Sequence, residues 1–418
     1  MADDAAGGGL LHRRNLLSLG LISAGAATAG AARAADPIGA GAAPWVTKPG
    51  TPVSGYGSPS HWRQDVKRTY ALSPISPGTG GSRTPIQLLE GSITPSGLHF
   101  ERHHNGVPDI DPTQHQLLVH GMVRQPLVFT LESLLRYPME SRVRFIECAG
   151  NSGAQSRDAT PTQTTAGDLN GLIANSEWTG VKLSTLLDEA GVDRGAAWVI
   201  AEGTDAVGMS RSIPLSKCMD DAMIALFQNG ETIRPEQGFP MRLLVPGYQG
   251  NANVKWLRRL KVVASPAHTR DETSRYSELM PDGRAREFML VMGVKSVITK
   301  PSFGLNLKGP GFYEISGLAW SGAGRIRRVE VSADGGRSWA DAALSEPVLS
   351  KAVVRFRSPW RWEGGPATLM SRAHDDTGAV QPTRAAWVAQ YSPGQGYHFN
   401  AIQAWAVSPD GKIANVFA

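Results

Sequence analysis

Apolar and polar positions alternate differently in successive stretches of this chain. Gln116-Leu117-Leu118-Val119-His120 and Val143-Arg144-Phe145-Ile146-Glu147 read as short strands. Leu183-Ser184-Thr185-Leu186-Leu187-Asp188-Glu189-Ala190 reads as a helix that Gly191 can close as its C-cap. Strand-like runs mixed with helical patches over residues 91–288 predict an α+β domain. Residues 289–418 follow a different rule. Arg328-Val329-Glu330-Val331-Ser332 alternates apolar and polar, and Asp334-Gly335-Gly336 supplies a turn. Residues 352–357, 366–373 and 401–407 continue in the same style. Short strands separated by turns predict a β-sandwich, with Trp320, Trp339, Trp360, Trp362, Trp387 and Trp405 as its core or interface aromatics. Residues 35–90 are rich in Pro, Gly and Ser and predict an extended N-terminal arm.

The first 34 residues have a different character. Arg13-Arg14 precede the apolar run Leu16 to Ile22, and Ala32-Arg33-Ala34 offers a small-x-small cleavage site. This predicts a signal peptide of twin-arginine type and a periplasmic protein, although His12 and Leu16 depart from the usual twin-arginine pattern. No other stretch is long enough to span a bilayer. Across 418 residues, 41% hydrophobic and 19% charged composition marks a globular chain, large enough for two cores. The net charge of +5 comes without a long Lys/Arg run, so nucleic acid is not an indicated partner, whereas an anionic substrate or acidic protein is. Cys148 and Cys218 are the two cysteines. A disulfide between them is the plain alternative to separate roles. The absence of Cys-x-x-Cys-His excludes a covalently attached c-type haem in this chain.

Three stretches carry candidate chemistry. Arg144-Phe145-Ile146-Glu147-Cys148-Ala149-Gly150-Asn151 puts a thiol at the end of a strand, beside small residues that let a large ligand approach. A thiolate there suits a transition metal; an inert buried cysteine is the bland alternative. Phe100-Glu101-Arg102-His103-His104-Asn105-Gly106-Val107-Pro108 concentrates cationic and hydrogen-bonding groups before a turn, a pattern for anion recognition rather than for zinc. Gly238-Phe239-Pro240-Met241-Arg242 leads into a strand and then a Gly/Asn loop ending in Asn253-Val254-Lys255-Trp256, able to hold phosphate or pterin edges.

Taken together and in this order, these stretches resemble the sulfite oxidase family of molybdenum enzymes over most of the chain. Glu147 to Asn151 is similar to the motif that carries the family's metal-binding cysteine. Phe100, Arg102, His104, Val107 and Pro108 resemble its cofactor-contacting loop, and Gly238 to Arg242 with Asn253 to Trp256 resemble its later pterin-binding segments. Glu202-Gly203-x-Asp205 resembles a further one. The resemblance implies an α+β molybdopterin-binding domain followed by an immunoglobulin-like dimerisation domain. It implies molybdenum held by the pterin dithiolene and Cys148, with Phe100, Arg102, His104, Asp205, Gln237, Arg242, Asn253, Val254 and Lys255 around the cofactor. Arg102 is the expected stabiliser of developing negative charge, and Tyr276 the candidate active-site tyrosine.

Within the family, residues 151–156, 177–180 and 397–405 resemble the sulfane dehydrogenase branch. Ser152 and Gly153 stand where sulfite-oxidising members carry arginines, and Gln237 stands where a histidine is common. The branch implies oxidation of sulfane sulfur on a carrier protein, electron transfer to a c-type cytochrome subunit, and a homodimer within a heterotetramer. Turnover of free sulfite, reduction of oxidised methionine, and a cofactor-free scaffold remain as alternatives.

Overall fold

A computed structural model describes residues 4–12, 43–74, 78–391 and 394–417. The Arg pair and the apolar run of the expected signal peptide lie outside them. Two sheets and a helical layer build the first domain. One sheet runs in the order Ser210–Pro214, Trp198–Gly203, Leu257–Val263, Gln116–Gly121, Leu127–Thr130, with a parallel pairing of Leu257–Val263 against Gln116–Gly121 among antiparallel neighbours. The other runs Glu231–Thr232, Met223–Gln228, Ile173–Lys182, Met139–Glu147, with Arg242–Leu244 also pairing Met223–Gln228. Helix Leu183–Ala190 buries Leu183, Leu186, Leu187 and Ala190 against both sheets. Each fully buried leucine contributes roughly 1.5–3 kcal/mol. Gly191 closes the helix at φ 70°, its N–H donating to Leu187 O at 3.0 Å. That left-handed cap is the conformation glycine reaches without a Cβ clash.

The second domain is the β-sandwich. One sheet contains Lys295–Lys300, Gly311–Trp320 and Val354–Trp362; the other contains Ile326–Ser332, Ala367–Asp375, Ala404–Val407 and Ile413–Val416. Trp320, Trp360 and Trp405 are fully buried in it. The sandwich core is continuous with the first domain, because Ile86, Phe145, Leu169 and Ile173 belong to the same apolar cluster. The mixed composition matches the expected α+β class.

Within the arm, Pro44–Thr47 forms a short helix, and Thr69–Leu72 pairs with Gly80–Arg83, which pairs in turn with Arg102–His103. Asp4–Ala6 and Leu10–Leu11 add to the edge of Val354–Trp362. Both cysteines are free, so the disulfide alternative does not hold. Among the described residues, no helix is long and apolar enough to cross a membrane.

Candidate active site

Strand Met139–Glu147 delivers Cys148 to the wall of a cleft. The Cys148 N–H donates to Leu172 O at 3.0 Å, and its carbonyl accepts from Asn151 N at 2.9 Å, closing a turn. Gly250 crosses behind: a Cβ there would lie 3.0 Å from Glu147 O, so any other residue would push the two loops apart by a few tenths of an ångström. Enclosure by the cleft walls raises the Cys148 thiol above its ordinary pKa.

Every predicted site residue lines this cleft. Cys148, Phe100, Arg102, His104, Asp205, Gln237, Arg242, Asn253, Val254, Lys255 and Tyr276 come together from five separate segments. His103, Asn251 and Trp256, which stand inside the predicted motifs without being singled out as site residues, also line it, as do His99 and Met209, which sequence reading passed over. His103 shares its motif with Arg102 and His104. It is the inner link: its Nδ1 accepts from Lys255 Nζ at 3.0 Å and its Nε2 meets Glu101 Oε2 at 2.8 Å. Met209 follows a turn with no recognisable signal.

The electrostatics of the cleft call for an anion. Lys255 Nζ also donates to Glu236 O at 3.0 Å, but burial lowers its pKa to about 7. Arg242 donates to Gln237 O and Asn253 O, each at 2.9 Å, and burial lowers it to about 9, so it stays cationic at neutral pH. Burial brings His99 to about 3 and His104 to about 4, leaving both imidazoles neutral. A bound anion would repay the desolvated cations and restore Lys255 to full charge. Buried polar atoms without partners point the same way: His99 Nε2, Arg242 Nε, and both side-chain atoms of Asn251. A buried orphan costs about 1–3 kcal/mol, so these atoms fit a polar, multidentate ligand such as a pterin phosphate. Together with a soft thiol, the donor set suits a molybdopterin.

Tyr276 sits at φ 45°, its hydroxyl 3.3 Å from His104 Nε2 and its ring beneath the Arg211 guanidinium. Ser152 and Gly153 do not line the cleft. Ser152, at φ 64°, donates to Asn170 Oδ1 at 2.6 Å and accepts from Lys295 Nζ at 2.7 Å. A Cβ on Gly153 would meet Gly396 O at 2.5 Å. A segment of the second domain therefore occupies the space that a side chain at 153 would need.

That segment brings His398, whose N–H donates to Ala149 O at 2.9 Å and whose Nε2 lies 3.5 Å from the fully buried Glu278. Burial lifts Glu278 from 4.5 to about 8 and lowers His398 from 6.5 to about 4. Near pH 7 both are therefore uncharged, and their contact is not an ion pair despite the distance. Glu278 holds its proton more tightly when folded, so its contribution to stability is lost as pH rises from about 4.5 to about 8. His398 acts in the opposite sense, losing stability as pH falls from about 6.5 to about 4. Glu278→Gln removes the alkaline loss. Its advantage over the wild type should grow with pH by on the order of 3 kcal/mol, read by urea unfolding at mildly acidic and mildly alkaline pH. An advantage that does not change with pH would contradict this assignment.

Residues 104–270 match the model of an oxidoreductase molybdopterin binding domain, and residues 286–404 that of a Mo-co oxidoreductase dimerisation domain. Sulfite oxidase from Gallus gallus is 33% identical over 330 residues, covering 72% of this chain and 71% of that protein. The chain belongs to the sulfite oxidase family of molybdenum enzymes. Mitochondrial sulfite oxidase from Rattus norvegicus is 30% identical over 355 residues, covering 78% of this chain but only 64% of the rat protein. The crystal structure of the sulfane dehydrogenase SoxCD from Paracoccus pantotrophus matches with a TM-score of 0.88 and 46% identity, covering 92% of this chain and 99% of that one. The fold of a sulfite oxidase family member thus extends over both domains described above.

Proposed function

We propose that this chain is the catalytic subunit of a sulfane dehydrogenase, oxidising sulfane sulfur carried on a partner protein and passing electrons to a c-type cytochrome. The observation that carries the proposal is the single cleft in which Cys148 meets Arg102, Arg242, Lys255 and Tyr276. The 46% identity to a sulfane dehydrogenase structure favours this substrate within the family. Cys148 would hold molybdenum, and the bound cofactor would supply two-electron oxygen transfer to sulfur. Arg242, Lys255, His104, Asn253 and the main chain at Val254 would hold the pterin and its phosphate, with Phe100, Asp205 and Gln237 fixing the pterin edges. Arg102 would stabilise negative charge developing on the substrate, because a guanidinium stays charged and donates in a fork. Tyr276, next to His104, would orient that substrate. A twin-arginine leader would take the folded protein to the periplasm, and the second domain would pair two copies inside a heterotetramer with the cytochrome.

Turnover of free sulfite is the second reading, favoured by the relatives that are sulfite oxidases. The test is cytochrome c reduction by molybdenum-loaded protein, supplied either with free sulfite or with a carrier protein bearing a cysteine-linked sulfane. Reduction driven by the carrier and not by sulfite supports the proposal. Efficient turnover of sulfite alone moves the protein to the second reading, and molybdenum-free preparations from a competent host would remove both.

A further inference from the structure

The eight residues Asp4–Leu11 lie just ahead of Arg13-Arg14, and they are seated in the second domain. Leu10 pairs with Trp360 as an added strand at the edge of Val354–Trp362, and its side chain is fully buried in the sandwich core. Asp4–Ala6 folds back on it, pairing Asp4 with Leu11 and Ala6 with Leu10. Trp360 Nε1 donates to Gly8 O at 2.7 Å, and Gly7 N donates to Ser338 Oγ at 2.8 Å.

Gly8 and Gly9 are required by shape, while Gly7 faces a side-chain tip that can move aside. A Cβ on Gly9 would stand 2.0 Å from Arg361 O, one on Gly7 2.6 Å from Asp334 Oδ2, and one on Gly8 2.9 Å from Ala333 O. Gly8 and Gly9 also adopt φ of +73° and +88°, which other residues rarely reach. A tail lying loosely on a surface would satisfy none of these conditions. Here main-chain pairing, a tryptophan donor and a leucine socket act together, as in strand addition to a sheet edge.

We propose that Asp4–Leu11 is a specific ligand of the folded sandwich, read as Gly-Gly-Gly-Leu-Leu by a groove of Ala333, Asp334, Ser338, Trp360 and Arg361. The groove is made from two elements, the turn after Ile326–Ser332 and the far end of Val354–Trp362. It therefore exists only once both sheets have formed, and an unfinished sandwich cannot capture the segment. Arg13 follows Leu11 by two residues in the sequence. Removing the leader frees the sheet edge at Trp360. The inference rests on the docked geometry and is independent of the substrate reading.

Hydrogen–deuterium exchange on the full chain tests it, comparing the wild type with Gly9→Val and with Leu10→Asp. Both changes lie in the docked segment and not in the strands it covers, and unchanged exchange of Ile326–Ser332 is the control that each variant retains its sandwich. Protection of residues 4–12 in the wild type, lost at least about tenfold in both variants, supports the proposal. A synthetic peptide of residues 1–12 added to Gly9→Val should restore slow exchange at Val354–Trp362, whereas the same peptide carrying Leu10→Asp should not. Wild-type residues 4–12 exchanging at the free-peptide rate would overturn the proposal. So would protection indifferent to Gly9→Val, or rescue by both peptides alike.

Discussion

Cys148→Ser should lower turnover by more than about a hundredfold while leaving the fold intact. Removing an outer partner of a metal ligand typically costs 10–100-fold, and here the ligand itself is exchanged for a harder, poorer donor. The protein around it loses little, because Cys148 is tied down by its main chain: its N–H reaches Leu172 O and its carbonyl accepts from Asn151. A serine repeats both bonds, so thermal unfolding of the metal-free variant should stay within about 1 kcal/mol of wild type. Cys218→Ser is the matching control with the opposite pattern. Cys218 is buried in helix Leu215–Asp220, and burial pushes its thiol up to about 12, which leaves it unreactive. A hydroxyl there should cost about 1–3 kcal/mol of stability without touching turnover. Molybdenum content and activity measured on both variants decide the matter. Turnover within tenfold of wild type in Cys148→Ser would remove the thiolate from the mechanism.

The part of the site that the sequence made legible is the part written in local patterns. Glu147 to Asn151 and Phe100 to Pro108 each place a donor beside small or turn-forming residues, and the main chain then leaves the donor little choice of direction. The helix closed by Gly191 was legible for the same reason, since its cap is set by its own last turn. What stayed hidden depends on contacts far apart in sequence. Lys295, Trp320, Gly396 and His398 all belong to the second domain, yet they surround the turn that carries Cys148. No periodicity in residues 289–418 hints at this, because a lysine in a β-strand ordinarily reads as solvent-facing. Ser152 and Gly153 owe their surroundings to the same domain: Ser152 accepts from Lys295 Nζ, and a Cβ on Gly153 would meet Gly396 O at 2.5 Å. The docked Gly7-Gly8-Gly9-Leu10-Leu11 escaped notice because its partner lies some 350 residues away, where only tertiary structure could supply it.

Lys295→Met should be the most destabilising single change around the site, costing about 3 kcal/mol or more. Lys295 and Glu147 are both almost fully buried, with Nζ 3.5 Å from Oε1. Glu147 also accepts from Trp320 Nε1 at 2.7 Å and from Asn151 Nδ2 at 2.9 Å, while Lys295 donates to Ser152 Oγ and to Phe399 O at 2.9 Å. The pair thus joins the residue before Cys148 to the residues after it, using a lysine and a tryptophan of the sandwich. Removing one partner of a buried pair leaves the other charge uncompensated, at about 3–5 kcal/mol, and methionine supplies bulk without charge. The two donors that Glu147 keeps should hold the loss near the lower end of that range. Pairing the change with Glu147→Gln removes the stranded charge, so the double variant should recover at least about 1 kcal/mol relative to the sum of the single changes. Urea unfolding of the four proteins completes the cycle. Strict additivity, or a single change costing less than about 1 kcal/mol, would show that the sandwich does not brace the cysteine turn through this pair. With coupling of the expected size, the second domain is part of the active-site architecture as well as a dimerisation module, and changes in its strand Lys295–Lys300 should reach Cys148 without crossing the cleft.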